Sequence, residues 1–383
     1  MAEGAIALNL RRLRRARGLT QGALAEKAGL SRAAYRNIEA GKSEPRVSSL
    51  QDIARVLQVP IQQLVEPVKA LHAVRFRSNK RMRIREQILV DVGRRLGDFA
   101  DLEAILDDQV PLAIDDIRRR LMAGKDRGEA AAALVRGTFG LDAKEPVRDI
   151  CGLLESRGIK VWEMKVASHD FVGLSVGAED GGPAVIVNTW ERIPVERRIF
   201  TAAHELAHLI LHVSDYDISV TNEEKQHEEE ANAFAAAFLM PEGSFRREWE
   251  DTYGQAFVDR VLKVKRIFRV SYRTVLYRLA PVYQGPGNIW ARFQIDYRQR
   301  YGRTLLREHE PDALAQDAFR ASFPENSSAD EPDKLSPVDF MQDRLSRLVR
   351  KAVEQERISL DRGAEILGLS LQDMRELTAS WVG

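Results

Sequence analysis

The sequence predicts a multidomain, mostly α protein in three parts. The first is an all-α domain of five short helices. An α+β domain follows, built around one helix rich in histidine, and an α-helical C-terminal region ends the chain. Three observations carry this. Residues 5–65 show short apolar stripes at helical spacing, separated by Gly and by Ser or Thr caps. Residues 195–241 hold a His/Glu cluster on two helical patterns, preceded at 158–188 by short apolar runs that read as strands. Helical spacing returns over 340–381.

At 383 residues the chain has room for two or three cores. Apolar content of 44% and charged content of 30% are those of a globular protein. The net charge of +1 hides an uneven spread: residues 1–65 carry 11 Lys and Arg against 5 Asp and Glu. Residues 69–95 add 9 against 2. A basic N-terminal quarter points to a polyanionic partner. The single Cys151 allows no internal disulfide and fits a reducing compartment; its helical, apolar surroundings predict a buried thiol rather than a redox switch. No 18-residue apolar run and no leader-like start are present, which predicts a cytoplasmic protein without a membrane span. No Gly-rich phosphate loop appears, so nucleotide chemistry is not expected.

Taken in order, Ile6, Leu10 and Leu13 stripe the first helix, among Arg11, Arg12, Arg14, Arg15 and Arg17. Gly18 ends it, Thr20 caps a second helix over 21–28, and Ser31 caps a third over 32–40 that Gly41 closes. Thr20-Gln-x-x-Leu-Ala-x-x-Ala-Gly-Leu-Ser31 with Ile38-Glu-x-Gly41 resembles the Xre/Cro repressor-type helix-turn-helix, over roughly 5–65. In that arrangement the third helix enters the major groove, and Arg32, Tyr35, Arg36 and Asn37 are read as its outward polar positions. Arg36 can read guanine through two hydrogen bonds, while Gln21 and Lys42 are better placed for phosphates. Leu24, Ala25, Ile38, Leu50, Ile53 and Leu57 read as core. The partner implied is a double-stranded DNA operator, bound by a homodimer.

The first domain is expected to close at residue 67. Residues 68–125 read as a basic linker and a long helix, the basic stretch 73–85 serving either as a phosphate tracker or as the polar face of the linker. Helices are expected near 128–139 and 147–157, and strands at 158–162, 173–176 and 184–188, the last two forming a hairpin about 179–182. An exposed edge, assigned here to 173–176, can take an extended substrate by strand addition.

The chemistry is densest in Thr201-Ala-Ala-His-Glu-Leu-Ala-His-Leu-Ile-Leu-His212. Residues four apart on a helix share a face, so His204 and His208 can offer two nitrogens to one metal ion. Glu205 lies beside them, placed to take a proton from water activated there. A hydrolytic zinc site needs three protein ligands and one open position. The long three-histidine pattern fails, because Leu211 and Ser214 stand where its glycine and histidine would be. A glutamate about 20 residues on is the other solution. Glu228 fits it, with Asn232 one turn later to orient His204; Glu230 is a rival that faces another way. His212, some 80° round the helix from His204, is not expected to ligate directly. His227 and His169 are further polar candidates near the site.

ERRIFTAAHELAHLILH with EEEANAFAAAFLMP resembles the ImmA/IrrE family of zinc peptidases, over roughly 125–280. The resemblance implies a zincin-like, gluzincin-type domain over 126–283, Zn²⁺ at His204, His208 and Glu228, and Glu205 as catalytic base. It also implies a repressor protein as substrate. Asn232 departs from family members that carry an acid there. Residues 284–383, after a break at 284–287 and with a loop at 326–333, read as a separate helical domain. Its stretch 358–370 resembles a second helix-turn-helix, with charges too mixed for a DNA reader. The expected protein is a DNA-binding regulator fused to a zinc endopeptidase that relieves repression, acting on another protein or on itself. The rival expectation is a transcription factor whose zinc domain senses a ligand or supports the dimer; a toxin-neutralising regulator is a third.

Overall fold

The computed structural model describes residues 5–67, 71–78, 84–121, 127–142, 144–213, 216, 224–283, 288–306, 309–314 and 331–381. Two compact units emerge, one of Met1–His72 with Ser78–Asp101 and one of Ala73–Arg77 with Leu102–Gly383. The break expected at 284–287, most of the loop expected at 326–333, and residues 79–83 of the basic stretch lie outside the described residues.

The first unit holds α1 (Ala5–Ala16), α2 (Gln21–Lys27), α3 (Arg32–Glu39), α4 (Val47–Leu57) and α5 (Gln62–Val65). Thr20 accepts from the Ala23 amide and Ser31 from the Ala34 amide, each at 3.1 Å, so two amides without helical partners are satisfied at the starts of α2 and α3. Between these helices Gly29 takes φ 67°, where a side chain would be strained. Leu10, Leu13, Leu24, Ile53, Leu57 and Leu64 meet in one core. Tyr35 joins them, fully buried, which corrects its expected place on the outer face of α3. Six apolar ring carbons outweigh one hydroxyl in deciding which way this side chain faces. A long helix, α6 (Arg85–Leu106), contributes residues up to Asp101 to this unit, where Arg94 pairs with Glu66 at 2.9 Å.

The second unit contains β1 (Val74–Ser78) as far as Arg77, α7 (Ile114–Arg120), α8 (Arg127–Thr138), α9 (Ile150–Glu155), β2 (Lys160–Met164), β3 (Phe171–Val176) and β4 (Ala184–Asn188). α10 (Val195–Leu211), α11 (Lys225–Leu239), α12 (Glu242–Glu250), α13 (Phe257–Phe268) and α14 (Tyr272–Leu279) follow. α15 (Ile289–Tyr301), α16 (Arg344–Glu354), α17 (Leu360–Leu367) and α18 (Leu371–Ala379) complete it. The strands form one sheet in the order β1-β3-β4-β2. β2 runs parallel to β4, with Lys160 opposite Ala184, while β3 is antiparallel to β4, with Gly173 opposite Val187.

The basic stretch expected to be linker therefore supplies a strand, and the assignment of 173–176 to the sheet edge is corrected: β1 lies beyond β3. Its alternating Val74-Arg-Phe-Arg77 suits a strand with one apolar face. Residues 284–383, expected to be a separate domain, are grouped with the metal-binding residues in one unit. Ile289, Phe293 and Tyr297 of α15 enter the same core as Leu206, Phe234 and Tyr272.

α10 is buried on nearly every side, its polar Glu196, Arg198, His204, Glu205 and His208 included. Two glycines bring its neighbours close. A Cβ at Gly173 would lie 2.6 Å from Thr201 Cγ2 of α10, and one at Gly128 would lie 2.4 Å from the Glu230 carbonyl of α11. Hydrogen at these positions seats β3 on α10 and α8 on α11. Cys151 is fully buried, and burial pushes its thiol pKa up.

Candidate metal centre

α10 carries His204 and His208 one turn apart, and the start of α11 brings Glu228 across to them. The Nε2 atoms of the two histidines stand 3.0 Å apart. Glu228 Oε2 is 3.3 Å from His204 Nε2, and Oε1 is 3.2 Å from His208 Nε2. Three donors thus converge on one point, and among the described residues no other group of three metal-ligating side chains does so. Two neutral imidazoles and one carboxylate are the donor set of a hydrolytic zinc site with an open fourth position, so the residues present fit that ion. Burial holds the His208 pKa down at about 3, which keeps the ring neutral as a ligand must be.

Both histidines are held from behind. Asn232 Oδ1 lies 3.1 Å from His204 Nδ1; a proton on that nitrogen leaves Nε2 with its lone pair toward the cluster. His208 Nδ1 lies 2.8 Å from His212 Nδ1, and His212 Nε2 lies 3.2 Å from Glu230 Oε2. The rival carboxylate therefore turns away from the cluster and holds a second-row histidine. Gln226 donates to the other Glu230 oxygen at 3.0 Å, and Arg127 stands 3.8 Å from Glu230 Oε2. His212 is buried, and that burial lowers its pKa to about 3 as well. The His227 ring stacks on His212, with 4.3 Å between centroids, and its Nε2 faces Glu224 at 3.4 Å. His169 packs against Trp190, centroids 4.8 Å apart.

Glu205 is fully buried beside the pair. Ser175 of β3 donates to Glu205 Oε2 at 2.7 Å and accepts from the Tyr216 hydroxyl at 2.8 Å. Burial raises the Tyr216 pKa, so the phenol keeps the proton that starts this chain. On the other side of the cluster Arg75 of β1 stands 3.1 Å from Glu228 Oε1. Sequence reading overlooked Arg75, Ser175 and Tyr216. A lone serine within the apolar strand 171–176 was the one signal available.

In the first unit Arg32, Arg36 and Lys42 are exposed and Asn37 is half-buried. Gln21 donates to Glu39 Oε1 at 2.9 Å, beside a two-pronged Arg14–Glu39 pair with both bonds at 2.7 Å. One Gln21 donor is therefore committed to tying α2 to α3.

The fold and site define a class: a helix-turn-helix domain joined to a domain with a His-His-Glu metal cluster. Residues 10–64 match the helix-turn-helix family model, and residues 154–280 match that of the IrrE N-terminal-like domain, a peptidase family. The chain thus carries an N-terminal helix-turn-helix domain fused to an IrrE-like peptidase domain. No curated protein matches it. Among solved structures it is similar to the apo form of the competence regulator ComR from Streptococcus vestibularis, at 13% identity. That alignment covers 78% of this chain and 79% of the other, with a TM-score of 0.16. The apo form of ComR from S. thermophilus gives 13% identity over 78% of this chain and 95% of that one, again at 0.16. No helix among the described residues is long and apolar enough to cross a membrane.

Proposed function

We propose that the chain is a DNA-binding transcriptional regulator whose second unit is a zinc-dependent, gluzincin-type endopeptidase, cutting a repressor-type protein or itself to relieve repression. The observation that carries this reading is Glu205. Its carboxylate sits between two convergent histidines in sequence and is fixed by Ser175 at 2.7 Å, an arrangement a purely structural metal site does not need. Zinc, when held by His204, His208 and Glu228, supplies a Lewis acid and an acidified water. Glu205 accepts the proton of the attacking water and hands it to the leaving amine. Asn232 and His212 keep both imidazoles in the tautomer that binds. In the first unit Arg36 and Arg32 serve base reading and Lys42 phosphate contact, in a homodimer on double-stranded DNA.

The test is native mass spectrometry of the full chain and of Glu205→Gln and Glu228→Ala, each incubated with a peptide library. We expect one zinc per chain in the wild type and in Glu205→Gln, and none in Glu228→Ala. Cleavage products, from the library or the chain itself, are expected only from the wild type. Equal products from Glu205→Gln would overturn the mechanism. A zinc-loaded wild type that cuts nothing would replace it with a ligand-sensing role.

A further inference from the structure

The second unit takes one short piece from an otherwise separate stretch of chain. Residues 73–77 belong to it, while the chain before Ala73 and the run Ser78–Asp101 belong to the other unit. This piece forms β1, hydrogen-bonded to β3 as the outer strand. The Gly177 amide donates to the Ala73 carbonyl at 2.8 Å, and the Ala73 amide donates to Asp180 Oδ2 at 2.6 Å. Phe76 stacks on Phe171 at 5.5 Å, and Val74 is buried. Arg75 reaches Glu228, the ligand on α11, and both side chains are largely shielded, at 10% and 15% exposure.

β3 is the strand that faces the reacting centre, since Gly173 packs on α10 and Ser175 holds Glu205. A peptide laid beside β3 would have its backbone paired and its successive side chains on opposite faces of the sheet. β1 does this. It is extended, it alternates apolar and basic residues, and its Arg75 meets the one anionic ligand.

We propose that β1 is an intramolecular occupant of the peptide-binding slot beside β3, so that the chain occludes its own centre. The slot takes an extended peptide with apolar-basic alternation, an arginine being directed at Glu228. A substrate of this kind enters by replacing β1. β1 is five residues at a sheet edge, with a neighbour on one side alone, and a strand so placed can exchange with another extended peptide that offers the same backbone bonds. The proposal rests on the peptidase reading only in treating the slot as the substrate's. Its test reads binding and backbone protection, so loss of cleavage alone leaves it standing.

The experiment uses full-length, zinc-loaded protein carrying Glu205→Gln to stop turnover, and a fluorescent peptide with the sequence of residues 71–79. Fluorescence anisotropy is compared with and without Val74→Asp and Phe76→Asp, which unseat β1. We expect the unseated protein to bind the peptide at least tenfold more tightly, and to bind a peptide with Glu at the Arg75 position at least tenfold more weakly. Equal affinity in seated and unseated protein, both holding one zinc, would overturn the proposal. Should the double variant fail to fold, hydrogen exchange on the seated protein decides. Amides of 74–78 exchanging at least tenfold faster than those of β4 support replacement; equal protection makes β1 a permanent strand and ends the idea.

Discussion

At the scale of single residues, the unexpected pair is His212 and Glu230. Neither touches the metal cluster's centre, yet together they fix the ring of a ligand. His208 has one nitrogen for the metal and one for His212, 2.8 Å away, and His212 in turn faces Glu230 at 3.2 Å. Removing an outer partner of a metal-bound histidine typically costs about 10–100-fold in metal affinity. We therefore expect His212→Phe, which keeps the ring's bulk against His227, to weaken zinc binding by about 10-fold or more in competition with a fluorescent chelator. Glu230→Gln should weaken it less, because an amide oxygen can still accept from His212. Unchanged affinity in His212→Phe would make the contact incidental. The three converging donors were legible in the sequence, because histidines at i and i+4 share a helix face and leave a countable distance to the carboxylate. His212 was visible as a residue but not as a partner. Its role depends on which way the C-terminal end of α10 faces α11, and spacing alone does not fix that. Tyr35 shows the opposite error, a polar atom taken as the guide for a side chain that is mostly hydrocarbon.

Elements were legible where their cause is local. The hairpin of β3 and β4 follows from two short apolar runs and a Gly-rich turn, and α2 and α3 from their caps. β1 was not legible: it pairs with a strand far along the chain, and a basic alternating stretch reads equally well as linker. The start of α16 is another non-local case. Glu155 at the end of α9 accepts the Arg344 amide at 3.0 Å and the Asp343 amide at 3.3 Å. Burial nonetheless raises its pKa from 4.5 to about 7, the two amides offsetting only part of that cost. Folded protein thus holds this proton more tightly than unfolded chain does. The contribution is fully present below pH 4.5 and is lost as pH rises toward 7. Glu155→Gln, which keeps an acceptor and has no proton to lose, should match the wild type near pH 4.5. It should exceed it by up to about 3 kcal/mol at pH 8, since a tenfold change in proton affinity is worth about 1.4 kcal/mol. Urea unfolding at both pH values measures this, and an equal difference at both would remove Glu155 as the cause.

At the scale of the whole molecule, the C-terminal region from residue 284 onward is the part the sequence misplaced. Local periodicity showed that helices were present, but which core receives an apolar face is decided by packing across distant segments. Phe293 and Tyr297 are buried in the core that also contains Leu206 of the metal-binding helix, and Tyr272 stacks on Phe293 at 4.9 Å. Lys265, buried on α13, is shared between Glu196 of α10 and Glu310, the latter at 3.2 Å. Ending the chain at residue 283 removes both aromatics and takes Glu310 from the lysine. Deleting a buried aromatic side chain costs about 3–5 kcal/mol, so the two together approach the roughly 5–15 kcal/mol that typically holds a domain folded. A chain of residues 1–283 should therefore aggregate or lose its zinc, even though it retains every ligand and all of residues 154–280. Gel filtration with metal analysis reads this directly. A monomeric 1–283 with one zinc and an unchanged melting temperature would return the C-terminal region to the status of an independent domain.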